Sequence, residues 1–298
     1  MVAAGRDPRL GRVREAALPG RRRRGGPLSA EAAALAARAA RYPFAQPAAS
    51  YVFTRRGPLP LVAPRTPWGP GTLLRDGDRT CTWRALQDEL GVEPGPRTAV
   101  LGYGSNPSPE TLARKLRDLP AGPVAVPVLE LAVHDLDAVW SAHVHAGYVP
   151  ATVARSPGTV LRAWVLLLRP DELDVVNASE SLGRNYVLGR LGGVRACFAD
   201  GSRCPELLSY VSMHGALAPD GEPLAVGPVR ADGRTLDALD EPAVLERARR
   251  LAAPDAEAVA FAEGLAGDPA TAAACTAALS PTAVPFDWPG WTPLVPGP

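Results

Sequence analysis

Lysine is all but absent from this chain of 298 residues: Lys115 is the only one, and every other basic side chain apart from the histidines is arginine. Such a bias reflects base composition, and it changes how the charge is read. Residues 1–66 hold 13 arginines against Asp7, Glu15 and Glu31, a net of +10, and the rest of the chain carries −9. A basic arm ahead of an acidic body is one signature of nucleic-acid or membrane contact. In a chain that writes nearly every cation as arginine, the arm reads as a leader instead. Neither nucleic acid nor a membrane is an expected partner.

Cysteine is scarce as well. Cys81, Cys197, Cys204 and Cys275 form no C-x-x-C pair, and none lies close to two histidines. That excludes a zinc framework and a disulfide scaffold, and buried thiols in a reducing compartment are expected. Long hydrophobic runs are missing. The longest strongly apolar one, Ala163–Leu168, is far too short to span a bilayer. The first 25 residues lack the apolar segment of a secretory signal, so a cytoplasmic location is expected.

What is present supports a real core: 46% of residues are hydrophobic and 21% charged. Proline (33) and glycine (29) are abundant, so loops and irregular segments take up much of the length. Residues 1–27 read as a disordered basic leader, and 28–96 as an N-terminal extension wrapping the body. Residues 97–232 read as the main domain, and 233–298 as a helical and proline-rich C-terminal extension. Ser29 is placed to cap a helix running to about Arg41. Tyr51–Phe53 reads as a short strand, and residues 83–90 as a short helix.

In the body, Thr98–Tyr103 is a buried strand by its apolar run, and residues 104–107 are its turn. Ser108 then stands as the cap of a helix with Pro109 at its first position. Leu112, Leu116 and Leu119 line one face of that helix. Further strands are expected at 124–133, 138–144, 151–155, 160–168, 186–191 and 207–213, with a helix from Pro170 to about Ser181. Several strands with only two intervening helices argue against a doubly wound sheet. The expected class is α+β: a small mixed β-barrel or sheet with flanking helices.

Four groups of residues are candidates for chemistry. The turn Tyr103-Gly104-Ser105-Asn106 follows a buried strand and precedes a helix, an arrangement that offers backbone N–H groups to an anion. Gly104 allows close approach of the backbone to a ligand. Glu180 lies seven residues beyond Leu173 and so shares a helix face with Leu173 and Val176. An acidic side chain on an apolar face is the kind of placement a general acid/base needs; a frayed, solvated helix end is the structural alternative. His143 and His145 fall on one face of a strand by its period of two, but no third metal ligand is placed by the sequence, and no metal is expected. Ser105 lacks the G-x-S-x-G frame of a nucleophile elbow, and no Gly-Lys-Ser/Thr follows the turn to make a P-loop.

Strand-Tyr103-Gly104-Ser105-Asn106-helix is similar to the YGSN loop of the gamma-glutamylcyclotransferase-like superfamily. The later order also resembles it: Pro150-Ala151-Thr152, Pro157-Gly158 before a strand, a helix opened by Asp171-Glu172-Leu173, Glu180, and Tyr186 on the next strand. Tyr210-Val211-Ser212 and Asp220-Gly221-Glu222-Pro223 resemble its closing strands. The resemblance covers about residues 97–226.

The resemblance implies a small mixed β-barrel and, without any cofactor, release of 5-oxoproline from a small-molecule gamma-glutamyl substrate. It assigns Glu180 as the acid/base and the loop 103–106 as the holder of the glutamyl moiety, with Tyr103 and Tyr186 as pocket walls. One departure stands out. The family's acidic site reads like Leu-Asp-x-x-Glu-Gly, whereas here Val176-Asn177-Ala178-Ser179-Glu180-Ser181 lacks the aspartate and the glycine. Two other readings are open: a non-catalytic module of the same fold binding a small carboxylate or a partner, and a serine hydrolase using Ser105.

Overall fold

The computed structural model describes residues 30–63, 67–119 and 122–294. The basic leader 1–27 and the Ser29 cap lie outside the described residues. Helix α1 (Ala30–Ala39) leads to strands β1 (Tyr51–Thr54) and β2 (Gly57–Pro60), the hairpin β3 (Leu73–Asp76) and β4 (Arg79–Thr82), and helix α2 (Trp83–Leu90). The Thr82 hydroxyl caps α2 by accepting from the N–H of Ala85, and Gly91 ends the helix in the left-handed conformation.

Strand β5 (Thr98–Gly102) runs into helix α3 (Pro109–Lys115). Two long strands follow, β6 (Ala125–Trp140) and β7 (Ala151–Leu168), then helix α4 (Pro170–Ser179) and strands β8 (Tyr186–Leu191), β9 (Ala196–Phe198) and β10 (Leu208–Ser212). The two-residue strands β11 (Ala216–Leu217), β12 (Ala225–Val226), β13 (Ala231–Asp232) and β14 (Ala238–Leu239) precede helices α5 (Glu241–Ala252), α6 (Ala258–Gly267) and α7 (Pro269–Leu279). Strands β15 (Ala283–Val284) and β16 (Trp291–Pro293) end the described chain.

Twelve strands share one sheet, whose main path runs β14-β12-β6-β7-β5-β10-β8-β16. Pairing is antiparallel except for β5 with β10 and β12 with β14. The path has two ends and does not close into a barrel. The fold is therefore α+β, with helices flanking a large, mostly antiparallel sheet. No helix among the described residues is long and apolar enough to cross a membrane.

The β6–β7 ribbon joins segments that read as four strands in the sequence. Polar Asp135 and the Pro157-Gly158 pair interrupt the apolar alternation, yet they form a bulge, not a chain reversal. Leu136 pairs with both Arg155 and Val160, so residues 156–159 are looped out of register. Asp135 takes a left-handed φ of 59°, and its carboxylate accepts the Gly158 N–H at 2.8 Å, tying the two halves of the bulge together. A second correction falls at the strand's end. β6 stops at Trp140, so His143 and His145 lie in the following turns and not on one strand face.

Alternation along the ribbon builds two cores. Val126, Val128, Leu166 and Leu168 face Leu112, Leu116 and Leu119 of the α3 segment and Val176 of α4. Leu131, Val133, Leu161 and Val165 face the other way, with Trp140, Tyr42, Phe44 and residues of α5–α7. The side chains of Leu112 and Leu116 are fully buried, which fixes the rotation of α3 about its axis.

Candidate functional site

The loop after β5 is tightly held. A Cβ on Gly102 would stand 2.7 Å from Leu166 Cδ1, and one on Gly104 would stand 2.7 Å from the Tyr42 hydroxyl. The loop's carbonyls are committed: Gln46 Nε2 donates to Gly104 O at 3.1 Å, Ser108 N–H to Ser105 O at 3.0 Å, and the Tyr51 hydroxyl to Pro107 O at 2.6 Å. In a trans peptide the next residue's N–H points opposite to the carbonyl. The N–H groups of Ser105 and Asn106 are thus turned away from these partners. Among the described residues, the N–H groups of Gly104, Ser105 and Asn106 have no acceptor. Successive free N–H groups at a turn are one way a backbone can receive an anion. Ser108 occupies the cap position of α3, but its buried hydroxyl makes no capping bond.

Gly104, Ser105 and Asn106 border a cavity of about 80 Å³, which Glu180, Lys115, His143, Tyr148 and Tyr186 also line. It has room for a small polar molecule. A roomier groove of about 540 Å³ lies between the β-bulge and the segment around Trp288. It is shallow, and Asp135 and Arg155 are the charged residues that line it, so it lacks the convergent polar groups that mark a binding site.

Helix α4 ends at Ser179, two residues earlier than the sequence suggests, and Glu180 is its C-cap. The Glu180 side chain is 12% exposed. Its surroundings are polar instead of apolar: Oε1 accepts from Asn106 Nδ2 at 3.0 Å and from Lys115 Nζ at 2.5 Å. Lys115 also donates to Asn106 Oδ1 at 2.7 Å, closing a triangle. An ammonium has three donors, so one N–H of Lys115 remains. Glu180 Oε2 has no hydrogen-bond partner among the described residues.

The residues beside Glu180 are held locally. Asn177 Oδ1 accepts the Tyr210 hydroxyl at 2.7 Å. Ser181 adopts φ 51°, the left-handed region that favours glycine.

Tyrosines wall the cavity. Tyr103 donates to Tyr210 O at 2.5 Å and Tyr186 to Ala151 O at 2.8 Å, so both phenols are spoken for. Burial pushes both phenols well above the ordinary tyrosine range. Tyr42 accepts the Ala151 N–H at 2.8 Å and stacks on Tyr148 with ring centroids 4.6 Å apart. Burial, reinforced by the nearby Glu180 carboxylate, pushes the Tyr148 phenol up to about 12. The Tyr148 hydroxyl has no partner among the described residues.

All six residues singled out in the sequence, Tyr103, Gly104, Ser105, Asn106, Glu180 and Tyr186, border this one cavity. Three others did not come out of the motif. Tyr42 and Tyr148 arrive through packing over long sequence distances, and no local pattern marks them. Lys115 did carry a signal: it is the chain's single lysine, and it sits one turn beyond buried Leu112, towards the apolar side of α3. His143 and His145 also line the cavity, but no group of three or more metal-ligating side chains exists among the described residues. The Ser105 hydroxyl has no hydrogen bond to a histidine; His143 Nδ1 is engaged by Ser141 Oγ at 2.7 Å.

A solved structure named gamma-glutamyl cyclotransferase aligns with 38% of this chain and 65% of its own length, at 18% identity and a TM-score of 0.29. The chain thus spans less than two thirds of that protein, and a likeness of this degree carries no argument about the reaction. No family model and no curated protein matches the chain.

Proposed function

We propose that the chain is a cyclotransferase-type enzyme that releases 5-oxoproline from a gamma-glutamyl amine or peptide, with Glu180 as general acid/base. One observation carries this reading. A single small cavity joins three successive unpaired N–H groups to a carboxylate whose Oε1 is pinned and whose Oε2 is free.

The chemistry follows from those groups. The α-amine of the substrate attacks its own γ-carbonyl, forming the ring C–N bond, and the bond to the leaving nitrogen breaks. Glu180 Oε2 takes the proton from the attacking amine and delivers it to the leaving nitrogen. Ring closure is intramolecular, so holding the substrate folded supplies much of the rate. The N–H groups of Gly104, Ser105 and Asn106 receive the substrate's α-carboxylate, and the remaining N–H of Lys115 adds a cation beside it. Asn106 and Lys115 also fix the Glu180 carboxylate, while Tyr103 and Tyr186 shape the wall.

The serine-hydrolase alternative requires a histidine at Ser105, and the histidine hydrogen bonds lie elsewhere. The non-catalytic alternative calls for an exposed Glu180 or a filled pocket, and Glu180 faces an open cavity.

The test is release of 5-oxoproline from a panel of gamma-glutamyl amino acids and amines by the wild type and Glu180→Gln. The reading expects turnover that is lost in a variant with unchanged circular dichroism. Absence of 5-oxoproline across the panel overturns it. Equal turnover by both proteins removes Glu180 from the chemistry.

A further inference from the structure

His143 stands apart from the machinery above. Its side chain is 1% exposed, yet it lines the cavity. Its two ring nitrogens have opposite fates. Nδ1 is fixed by Ser141 Oγ at 2.7 Å, and Ser141 is itself held by Ser212 Oγ at 2.7 Å and Gly215 O at 3.2 Å. Nε2 is buried and has no partner among the described residues. The ring is clamped in orientation as well. It stacks on His214 at 4.4 Å between centroids and meets the edge of Tyr186 at 5.8 Å.

Leaving a buried polar nitrogen unpaired is costly, so such atoms are rare in folded chains. Here the orphan belongs to a ring anchored on its far side by a chain of serines, in a wall of the cavity that holds Glu180. That is the arrangement of a pre-positioned recognition group, held by its surroundings and satisfied when something binds.

We infer that His143 is a ligand-recognition residue of this cavity, whose Nε2 forms a hydrogen bond with a polar group of the bound molecule. Burial, with His214 and His145 close by, lowers its pKa to about 3, so the ring stays neutral across the physiological range. A neutral imidazole orients or polarises a bound carbonyl, or accepts from a bound N–H, without exchanging its proton. The work of His143 is therefore distinct from that of Glu180. It predicts ligand selection and no new limb in a pH–rate profile near the ordinary histidine range.

The kinetic part of the test rests on the cyclotransferase reading, and the spectroscopic part does not. Wild-type protein with ¹⁵N-labelled histidine is titrated with 5-oxoproline and, separately, with L-glutamate. The Nε2 resonance of His143 is expected to move, while His134, paired with Arg195 away from the cavity, serves as the unmoved reference. In turnover, His143→Phe keeps the ring stack but removes the nitrogen, and KM is expected to rise about tenfold, the equivalent of one lost hydrogen bond. His143→Gln, whose amide reaches the place of Nε2, is expected to recover part of that loss.

If the wild type turns over substrate, His143→Phe keeps KM and kcat within twofold, and the resonance is still, the inference is wrong and the activity stands. If no 5-oxoproline forms but the resonance moves, the activity fails and the recognition role stands. A still resonance with both probes and no turnover overturns both.

Discussion

Lys115 Nζ lies 2.5 Å from Glu180 Oε1 and 2.7 Å from Asn106 Oδ1, so Glu180 is met by two groups that lie 65 and 74 residues before it in the sequence. The Lys115 and Glu180 side chains are only 7% and 12% exposed. Removing one partner of so enclosed a pair leaves the other charge uncompensated, at a cost of about 3–5 kcal/mol. Lys115→Met is expected to lose stability on that scale in urea unfolding. The double variant Lys115→Met/Glu180→Gln is expected to lose less than the single one, since no charge is then stranded.

Ser181 makes a smaller and opposite prediction. A side chain in the left-handed region costs about 1–2 kcal/mol, and the extra chain freedom of glycine gives back about 0.5–1 of it. Ser181→Gly is therefore expected to stabilise the fold by about 0.5–1 kcal/mol, measured as a raised denaturation midpoint with an unchanged m-value.

Gly104 and Tyr42 are predicted to be coupled. A Cβ at 104 would meet the Tyr42 hydroxyl at 2.7 Å and Ala151 Cβ at 3.3 Å. Gly104→Ala is expected to displace Tyr42 and weaken binding of 5-oxoproline. Tyr42→Phe strips the Ala151 N–H of its acceptor, a loss of about 1–3 kcal/mol. The double variant removes the obstructing oxygen, so its stability loss is expected to fall short of the sum of the two singles.

Glu241 predicts a pH dependence. It is fully buried at the start of α5; Oε1 accepts the Val149 N–H at 2.8 Å, and Oε2 has no partner among the described residues. Burial raises its pKa well above the usual 4.5. The unfolded chain thus releases this proton near pH 4.5 while the folded chain keeps it, and stability falls as pH rises through that interval. Glu241→Gln removes the titration. Thermal unfolding curves of the two proteins are expected to agree near pH 4 and to separate by pH 8, with the variant the more stable.

The loop and its following helix were legible because they are local: an apolar run, a glycine turn, and proline at a helix start. Helix periodicity singles out Glu180 but places it on an apolar face; α4 ends one residue before it, and the carboxylate meets Asn106 and Lys115 instead. The ribbon β6–β7 was cut in two because Asp135 and Gly158 are ordinary turn residues, and only the tertiary pairing makes them a bulge. His143 stands out in the sequence as one of a histidine pair, but its anchoring does not, since that runs through Ser141 and Ser212, 71 residues apart. Tyr42 and Tyr148 give no local signal, because their stack forms across 106 residues of chain.

The central claim is that the γ-carbonyl is attacked by the substrate's own amine and not by water or Ser105. The most direct measurement is product analysis by mass spectrometry after turnover of a gamma-glutamyl amino acid in H₂¹⁸O. Cyclisation retains the original carbonyl oxygen, so the prediction is unlabelled 5-oxoproline with the free amino acid. Glutamate carrying ¹⁸O in its γ-carboxylate would show hydrolysis and contradict the claim.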